Sequence, residues 1–218
     1  ASVKGLKRVR FTTSHPKDLE EKIIDIVASE KSICSHFHLP LQSGSDSILK
    51  LMGRKYNAAT YLRLLERIRS KVNDVSITTD IIVGFPNETE EDFLATLDVV
   101  KTAKFDQAFT FKYSARPGTA AANFENKISN EVVKDRFDRL LEAQNLNAYE
   151  SNQRMLGETV RVFIEGMSKK KVHPLAARTD SNKLVHLDGG RDLIGKTVDV
   201  QINEAFTWFL IGERKGGK

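Results

Sequence analysis

Cysteine is almost absent from this chain: its 218 residues include one, Cys34. A lone thiol excludes an internal disulfide, and a reducing, cytoplasmic compartment is the simple expectation. Long apolar runs are missing too. No stretch approaches the roughly 20 residues that a membrane span requires. The N-terminal ASVKGLKRVRF lacks the apolar region of a signal peptide. No Ser-His-Asp order, nucleotide-phosphate loop or dinucleotide fingerprint is visible.

What is present describes a globular protein. Hydrophobic residues make up 40% of the chain and charged residues 29%, enough for a real core. The net charge of +5 is unevenly spread: residues 151–218 hold 12 Lys/Arg against 8 Asp/Glu, the first 150 hold 22 against 21. A basic last third fits either a polyanionic partner or an ordinary basic surface.

The first 150 residues alternate strand-like and helix-like segments. Strands are expected at Lys7–Thr13, Ile33–Leu39, Val75–Phe85 and Phe105–Ser114. Helices are expected at Asp18–Ser29, Asp46–Met52, after an Asn57 cap, at Glu90–Ala103 behind a Thr89/Asp92 capping box, and from Asn130 to about Met155. Repeats of this kind predict parallel strands with right-handed crossovers. Four strands are too few for a closed barrel of eight, so they form an open sheet or a segment of a larger barrel. The chain starts almost directly on a strand, as expected of one that begins in mid-domain. After residue 156 the pattern changes. Short alternating segments at Glu158–Glu165, Lys183–Leu187, Thr197–Ile202 and Phe206–Ile211, punctuated by glycines, predict a small antiparallel β-barrel of the OB-like kind. The division expected is residues 1–155 and 156–218, an α/β barrel segment followed by a small β-barrel.

Each of the four N-terminal strands has one polar parity: Arg8, Arg10 and Thr12; His36 and His38; Thr78 and Asp80; Thr110, Lys112 and Ser114. Side chains alternate across a strand. These polar faces are expected to converge on one ligand-lined wall, since burying charge without a partner is costly. The strand ends agree. Gln42-Ser43-Gly44-Ser45 offers an amide, two hydroxyls and backbone N–H groups, and polar loops also follow the third and fourth strands at Gly84–Thr89 and Ser114–Thr119. Such loops can hold a ribose, a carboxylate or a phosphate. His36-x-His38 fits a metal pair or a structural pair, and no further ligand stands at an obvious spacing, so no metal site is assigned. Cys34 reads as a small core-facing thiol. In the last third, Lys169-Lys170-Lys171 and Arg178, in the polar loop Arg178–Asn182, fit RNA phosphates or a charged hairpin tip. Phe206, Trp208 and Phe209 read as a core aromatic cluster, with base stacking the alternative.

The runs RVRFTTSHPKDL, HFHLPLQSGSDSILKLMGRKY, TTDIIVGFPNETEEDF and FTFKYSARPGT resemble the methylthiotransferase branch of the radical S-adenosylmethionine enzymes. VRVFIEG, ARTDSNKLVHLDG and GKTVDVQINEA resemble the RNA-binding TRAM domain that ends those proteins. Within the branch, TSHP and HLPLQSGS resemble most the enzymes acting on N6-dimethylallyladenosine in tRNA, with the threonylcarbamoyladenosine enzymes the nearer rival. The resemblance implies a (β/α)6 partial barrel, with these strands as its third to sixth. It also implies S-adenosylmethionine, two 4Fe-4S clusters, sulfur and electron donors, and tRNA as substrate. A radical from the cleaved cofactor would abstract hydrogen from C2 of the adenosine. The radical cluster needs C-x-x-x-C-x-x-C, which a chain with one cysteine lacks. The resemblance therefore implies a C-terminal fragment that binds no cluster, performs no turnover and carries no catalytic residue of its own. Carried over on matching motifs, Gln42, Ser43 and Asp80 would meet the cofactor, His38 and Arg116 would line the same pocket, and Lys170, Lys171 and Arg178 would contact RNA phosphates. A non-catalytic RNA-binding protein and a metal-dependent barrel hydrolase using His36 and His38 are the competing readings.

Overall fold

The structure is a computed structural model that describes residues 3–12, 16–169 and 172–216. Its first part is an α/β layer. The strands are β1 (His36–His38), β2 (Ser76–Val83) and β3 (Gln107–Lys112), in spatial order β1-β2-β3 and all parallel. The expected first strand is reduced to one parallel bridge, Val9 to Ile33. The helices are α1 (Glu21–Ser29), α2 (Asp46–Leu51), α3 (Ala58–Lys71), α4 (Glu90–Ala103) and α5 (Asn130–Gln153).

Local chemistry sets most of these boundaries. Asn57 accepts the Thr60 amide and starts α3. Thr89 and Asp92 exchange side-chain and backbone hydrogen bonds in a complete capping box at α4. The buried faces of α1, α3, α4 and α5 meet β1–β3 in one core. Ile24, Phe37, Leu39, Tyr61, Ile77, Phe93 and Phe105 all lie in it with 1% exposure or less.

The second part is a closed five-stranded barrel. It comprises β4 (Thr159–Met167), β5 (Leu175–Thr179), β6 (Leu184–Leu187), β7 (Thr197–Ala205) and β8 (Leu210–Arg214), in the order β4-β5-β6-β8-β7. It is mixed, because β6 and β8 pair in parallel. β5 occupies part of the stretch expected to be a loop, so Arg178 lies on a strand. Phe206–Phe209 is a turn, closed by Phe206 N–H to the Phe209 carbonyl at 2.9 Å, and the strand begins only at Leu210. The aromatics do cluster, Phe206 stacked on Phe209 at 4.7 Å and Phe209 edge-on to His186 at 5.3 Å, but outside the barrel core. The barrel core is aliphatic, with Val162, Ile164, Leu175, Val185, Leu187, Val200 and Leu210 fully buried, while Phe206 and Trp208 are 40% and 55% exposed.

A buried knot joins the two parts. Lys183 Nζ donates to Asp106 Oδ1 (2.8 Å), Ser151 Oγ (2.8 Å) and Asn152 Oδ1 (3.0 Å). Asp106 Oδ2 also accepts the Ile77 amide at the start of β2. Asn152 donates to the carbonyls of Phe206 and Thr207, and Gln153 to that of Ala205. Arg8 reaches the carbonyls of Arg178 and Thr179 on β5.

Candidate functional site

The register of the parallel sheet decides which side chains share a wall. His38 pairs with Thr78, Thr78 with Gln107, Asp80 with Phe109, and Ile82 with Phe111. Paired residues in a parallel sheet point the same way, so one face carries His36, His38, Ser76, Thr78, Asp80, Gln107, Phe109 and Phe111. The expected convergence holds for β1 and β2 and is inverted in β3. Lys112 points to the helical side, where its Nζ lies 5.1 Å from the ring centroid of Phe137 on α5. The physical reason is packing. Ala108, on the same parity, packs against the core beside α5, while Phe109 and Phe111 are turned outward at 48% and 50% exposure. Arg10 lies apart from Asp80; it reaches toward Glu165 of β4 (3.7 Å) and lines a different cavity.

On the shared face the two histidines are organised by one hydroxyl. Thr78 Oγ1 lies 3.0 Å from both His36 Nε2 and His38 Nδ1. His38 Nε2 faces Asp80 Oδ2 at 3.4 Å. One arrangement of neutral rings gives every one of these hydrogens an acceptor: His36 Nε2–H donates to Thr78, Thr78 O–H donates to His38 Nδ1, and His38 Nε2–H points to Asp80. Burial, reinforced by Arg10 and His38, pulls the His36 pKa down to about 4. His36 is held as a neutral, hydrogen-bonding imidazole, and among the described residues no group of three His, Cys, Asp or Glu could hold a metal ion.

The carboxyl ends of the strands open on a cavity of about 780 Å³ lined by Gln42, Arg54, Asp80, Phe111, Tyr113 and Arg116 among others. Parallel α/β folds keep their ligands at this end. Gln42 has φ +69°, a left-handed conformation that a glutamine adopts only when its surroundings impose it. Here the neighbouring strand does so: Gln42 N–H donates to the Asp80 carbonyl and the Gln42 carbonyl accepts from Ile82 N–H. Two polar atoms at this cavity, Arg54 Nε and Tyr113 Oη, are buried without a hydrogen-bond partner. Such atoms are rare in folded proteins.

Ser43 and its neighbours do something other than expected. Ser43 is fully buried and does not line the cavity; its hydroxyl lies 3.2 Å from the Thr96 hydroxyl and accepts the Ser45 amide. The Gly44 amide donates to Thr96 Oγ1 at 2.9 Å. Ser45 caps α2, and Ser45 and Ser47 both donate to Asp92 Oδ1. Burial raises the Asp92 pKa, but the hydrogen bonds from Ser45, Ser47 and Thr89 outweigh it and hold the carboxyl below its usual range. A Cβ on Gly44 would lie 2.6 Å from Thr96 Cα, so only glycine lets the loop approach α4 this closely. The polar cluster Ser43–Ser47 is a strap onto α4 that presents Gln42. The Gly84 loop is strapped similarly, since Gly84 N–H donates to Glu88 Oε2 and buried Arg136 of α5 holds that carboxylate at 2.8 Å.

The structure thus brings Gln42, Asp80 and Arg116 to one cavity, places His38 against Asp80, and leaves Ser43 inside the packing. Arg178 lies elsewhere, on β5, with Nε 3.5 Å from Glu165 and Nη1 donating to the Asn182 carbonyl. Lys170 and Lys171 lie outside the described residues. Arg54 and Tyr113 were missed by sequence reasoning, because nothing in their local pattern signals an unpartnered buried atom. Cys34 is buried, 2% exposed.

Residues 2–100 match the radical SAM superfamily and residues 153–215 the TRAM domain. A tRNA-2-methylthio-N(6)-dimethylallyladenosine synthase from Alkaliphilus oremlandii is 49% identical over 211 residues, 97% of this chain and 45% of that protein. The synthase of the same name from Syntrophomonas wolfei is 50% identical over 212 residues, 97% of this chain and 48% of its own. The chain spans about half the length of these relatives. Among solved structures, coproporphyrinogen III oxidase from Escherichia coli, itself a radical SAM enzyme, superposes with a TM-score of 0.55 at 15% identity. The match covers 90% of this chain and 46% of that one, and shows the shared fold. Residues 2–100 therefore carry the radical SAM match and residues 153–215 a TRAM domain, and along 97% of its length the chain is similar to tRNA-2-methylthio-N(6)-dimethylallyladenosine synthases.

Proposed function

We propose that this chain supplies part of the cofactor cavity and the RNA-facing barrel of a tRNA methylthiotransferase, one that places a methylthio group on C2 of N6-dimethylallyladenosine beside the anticodon. The observation that carries the reading is the close relationship to the named synthases, sustained along 97% of the chain. The cavity supports it chemically. Asp80 offers a carboxylate to a ribose or an ammonium group, Gln42 an amide, and Arg116 a cation to a carboxylate. The unpartnered Arg54 Nε and Tyr113 Oη add two donors.

S-adenosylmethionine fits this donor set, and when bound it supplies the methyl group and the carbon radical of the family's chemistry. Gln42, Asp80 and Arg116 would hold it, with His38 orienting Asp80. An iron–sulfur cluster does not fit the residues present: Cys34 is the chain's one thiol and it is buried. A cluster would have to be held by cysteines from other polypeptide. The basic last third and the TRAM barrel serve tRNA binding, which would weaken with salt.

A chimera tests the reading. This chain replaces the matching segment of the Alkaliphilus relative, and tRNA nucleosides are analysed by mass spectrometry. Methylthiolated dimethylallyladenosine is expected, and Asp80→Asn in the chimera should abolish it. A folded chimera that binds S-adenosylmethionine yet leaves the tRNA without the methylthio group refutes the assignment. Product on threonylcarbamoyladenosine instead would move it to the rival branch.

A further inference from the structure

At the other end of the same sheet face lies a second cavity, of about 440 Å³, between β2, β3 and the small barrel. Its lining combines three features. Two outward-turned aromatics stand in it, Phe109 at 48% exposure and Trp208 at 55%. Arg10 and Arg178 line it and share a single carboxylate, Glu165, at 3.7 and 3.5 Å. Two guanidiniums against one carboxylate leave one positive charge unmatched, because Lys183 and Asp106 in the same lining neutralise each other. Finally, Asn182 Oδ1 is buried in this lining with no hydrogen-bond partner.

We propose that this cavity is a nucleotide subsite for single-stranded RNA, with Trp208 and Phe109 as stacking surfaces, the Arg10/Arg178 pair as phosphate contact, and the Asn182 amide reading the edge of the base. The proposal rests on the tRNA reading above and adds to it a place and named residues. Planar π-faces with an uncompensated guanidinium are what a nucleotide, base plus one phosphate, matches; stacking tolerates any base and the amide adds preference. An acidic peptide would satisfy the charge and leave Trp208 and Phe109 in water. The knot around Lys183 ties the small barrel to Asp106, just before β3, and through it to Ile77 of β2, so that residues from both parts line one cavity.

Trp208 is the chain's only tryptophan, so its emission reports on this cavity alone. The test uses the 218-residue chain, a labelled anticodon stem-loop RNA followed by anisotropy, and intrinsic fluorescence in parallel. RNA is expected to bind and quench Trp208. Trp208→Ala should weaken binding about ten-fold or more, as loss of one stacked base does, and Trp208→Phe should restore most of it. Arg178→Gln should lower the slope of log affinity against log salt by about 1. Inorganic polyphosphate should compete without quenching. RNA binding with unchanged emission, and with Trp208→Ala equal to the parent, overturns the subsite and leaves the tRNA reading standing. Equal quenching by polyphosphate or by polyglutamate overturns it as well. No RNA binding at any salt overturns both.

Discussion

Replacing Lys183 by methionine tests the junction of the two parts. The ammonium is 12% exposed, its partner carboxylate 13%, and the pair is 2.8 Å apart. Methionine keeps most of the volume but removes the charge and all three hydrogen bonds. Asp106 would then sit buried with only the Ile77 amide and the Ser151 hydroxyl as donors. Breaking one side of a buried pair costs about 3–5 kcal/mol, mostly from the stranded charge. The double variant Asp106→Asn/Lys183→Met should therefore recover a large part of the loss, since a neutral amide needs no counterion. The pH dependence has a definite sign. Burial pushes the Asp106 pKa up, but Lys183 and Ser151 outweigh it and hold the carboxyl below its ordinary value. That stabilisation is present above the unfolded carboxylate pKa and lost as pH falls through the folded one. Without Lys183, burial dominates and the carboxyl gains from protonation, so the gap between parent and variant should shrink between pH 7 and pH 4. Urea unfolding followed by circular dichroism, with Trp208 emission for the small barrel, measures this. A loss under about 1 kcal/mol at pH 7, or a double variant no better than the single, would show that the knot is only a surface contact.

His36, neutral in the fold with a pKa of about 4 against an ordinary 6.5, favours the unfolded chain once that chain can bind its proton; stability should fall as pH drops from 6.5 toward 4, by up to about 3 kcal/mol. In acid titrations His36→Gln should flatten that limb, and an unchanged profile would contradict the assignment. Gly44→Ala drives a methyl against the α4 backbone and should cost about 1–3 kcal/mol, seen as a lower Tm together with weaker S-adenosylmethionine binding by calorimetry; a silent substitution would mean the strap is slack. Arg136→Met strands Glu88, which is 3% exposed, and should destabilise by about 3 kcal/mol in thermal unfolding, with Glu88→Gln in the same chain giving partial rescue.

Some of the architecture was legible because its causes are local. The caps at Asn57 and Thr89 lie within three residues of the amides they satisfy, and α3 and α4 began where they were expected. The α/β grammar followed by short glycine-bounded strands gave the order of the two parts. The quoted motifs identified the family before any geometry. β5 was not legible, because Leu-Ala-Ala-Arg-Thr carries little strand signal and is held by its neighbours β4 and β6. The hydroxyls of Ser43 and Ser45 looked like ligand contacts because their partners, Thr96 and Asp92, stand 53 and 47 residues away.

By itself the sequence determined most of the helices, the parallel order of the first part, the family resemblance and the stretch that would reach the cavity, since periodicity, capping and motif spacing are written within a few residues of one another. Only the tertiary structure decided which parity of β3 faces the wall, that Gln42 rather than Ser43 lines the cavity, and that Trp208 stands beside Phe109's face of the sheet. Alternation states that a strand has two faces. It takes the helix packed on one of them, and the register with the next strand, to say which is which.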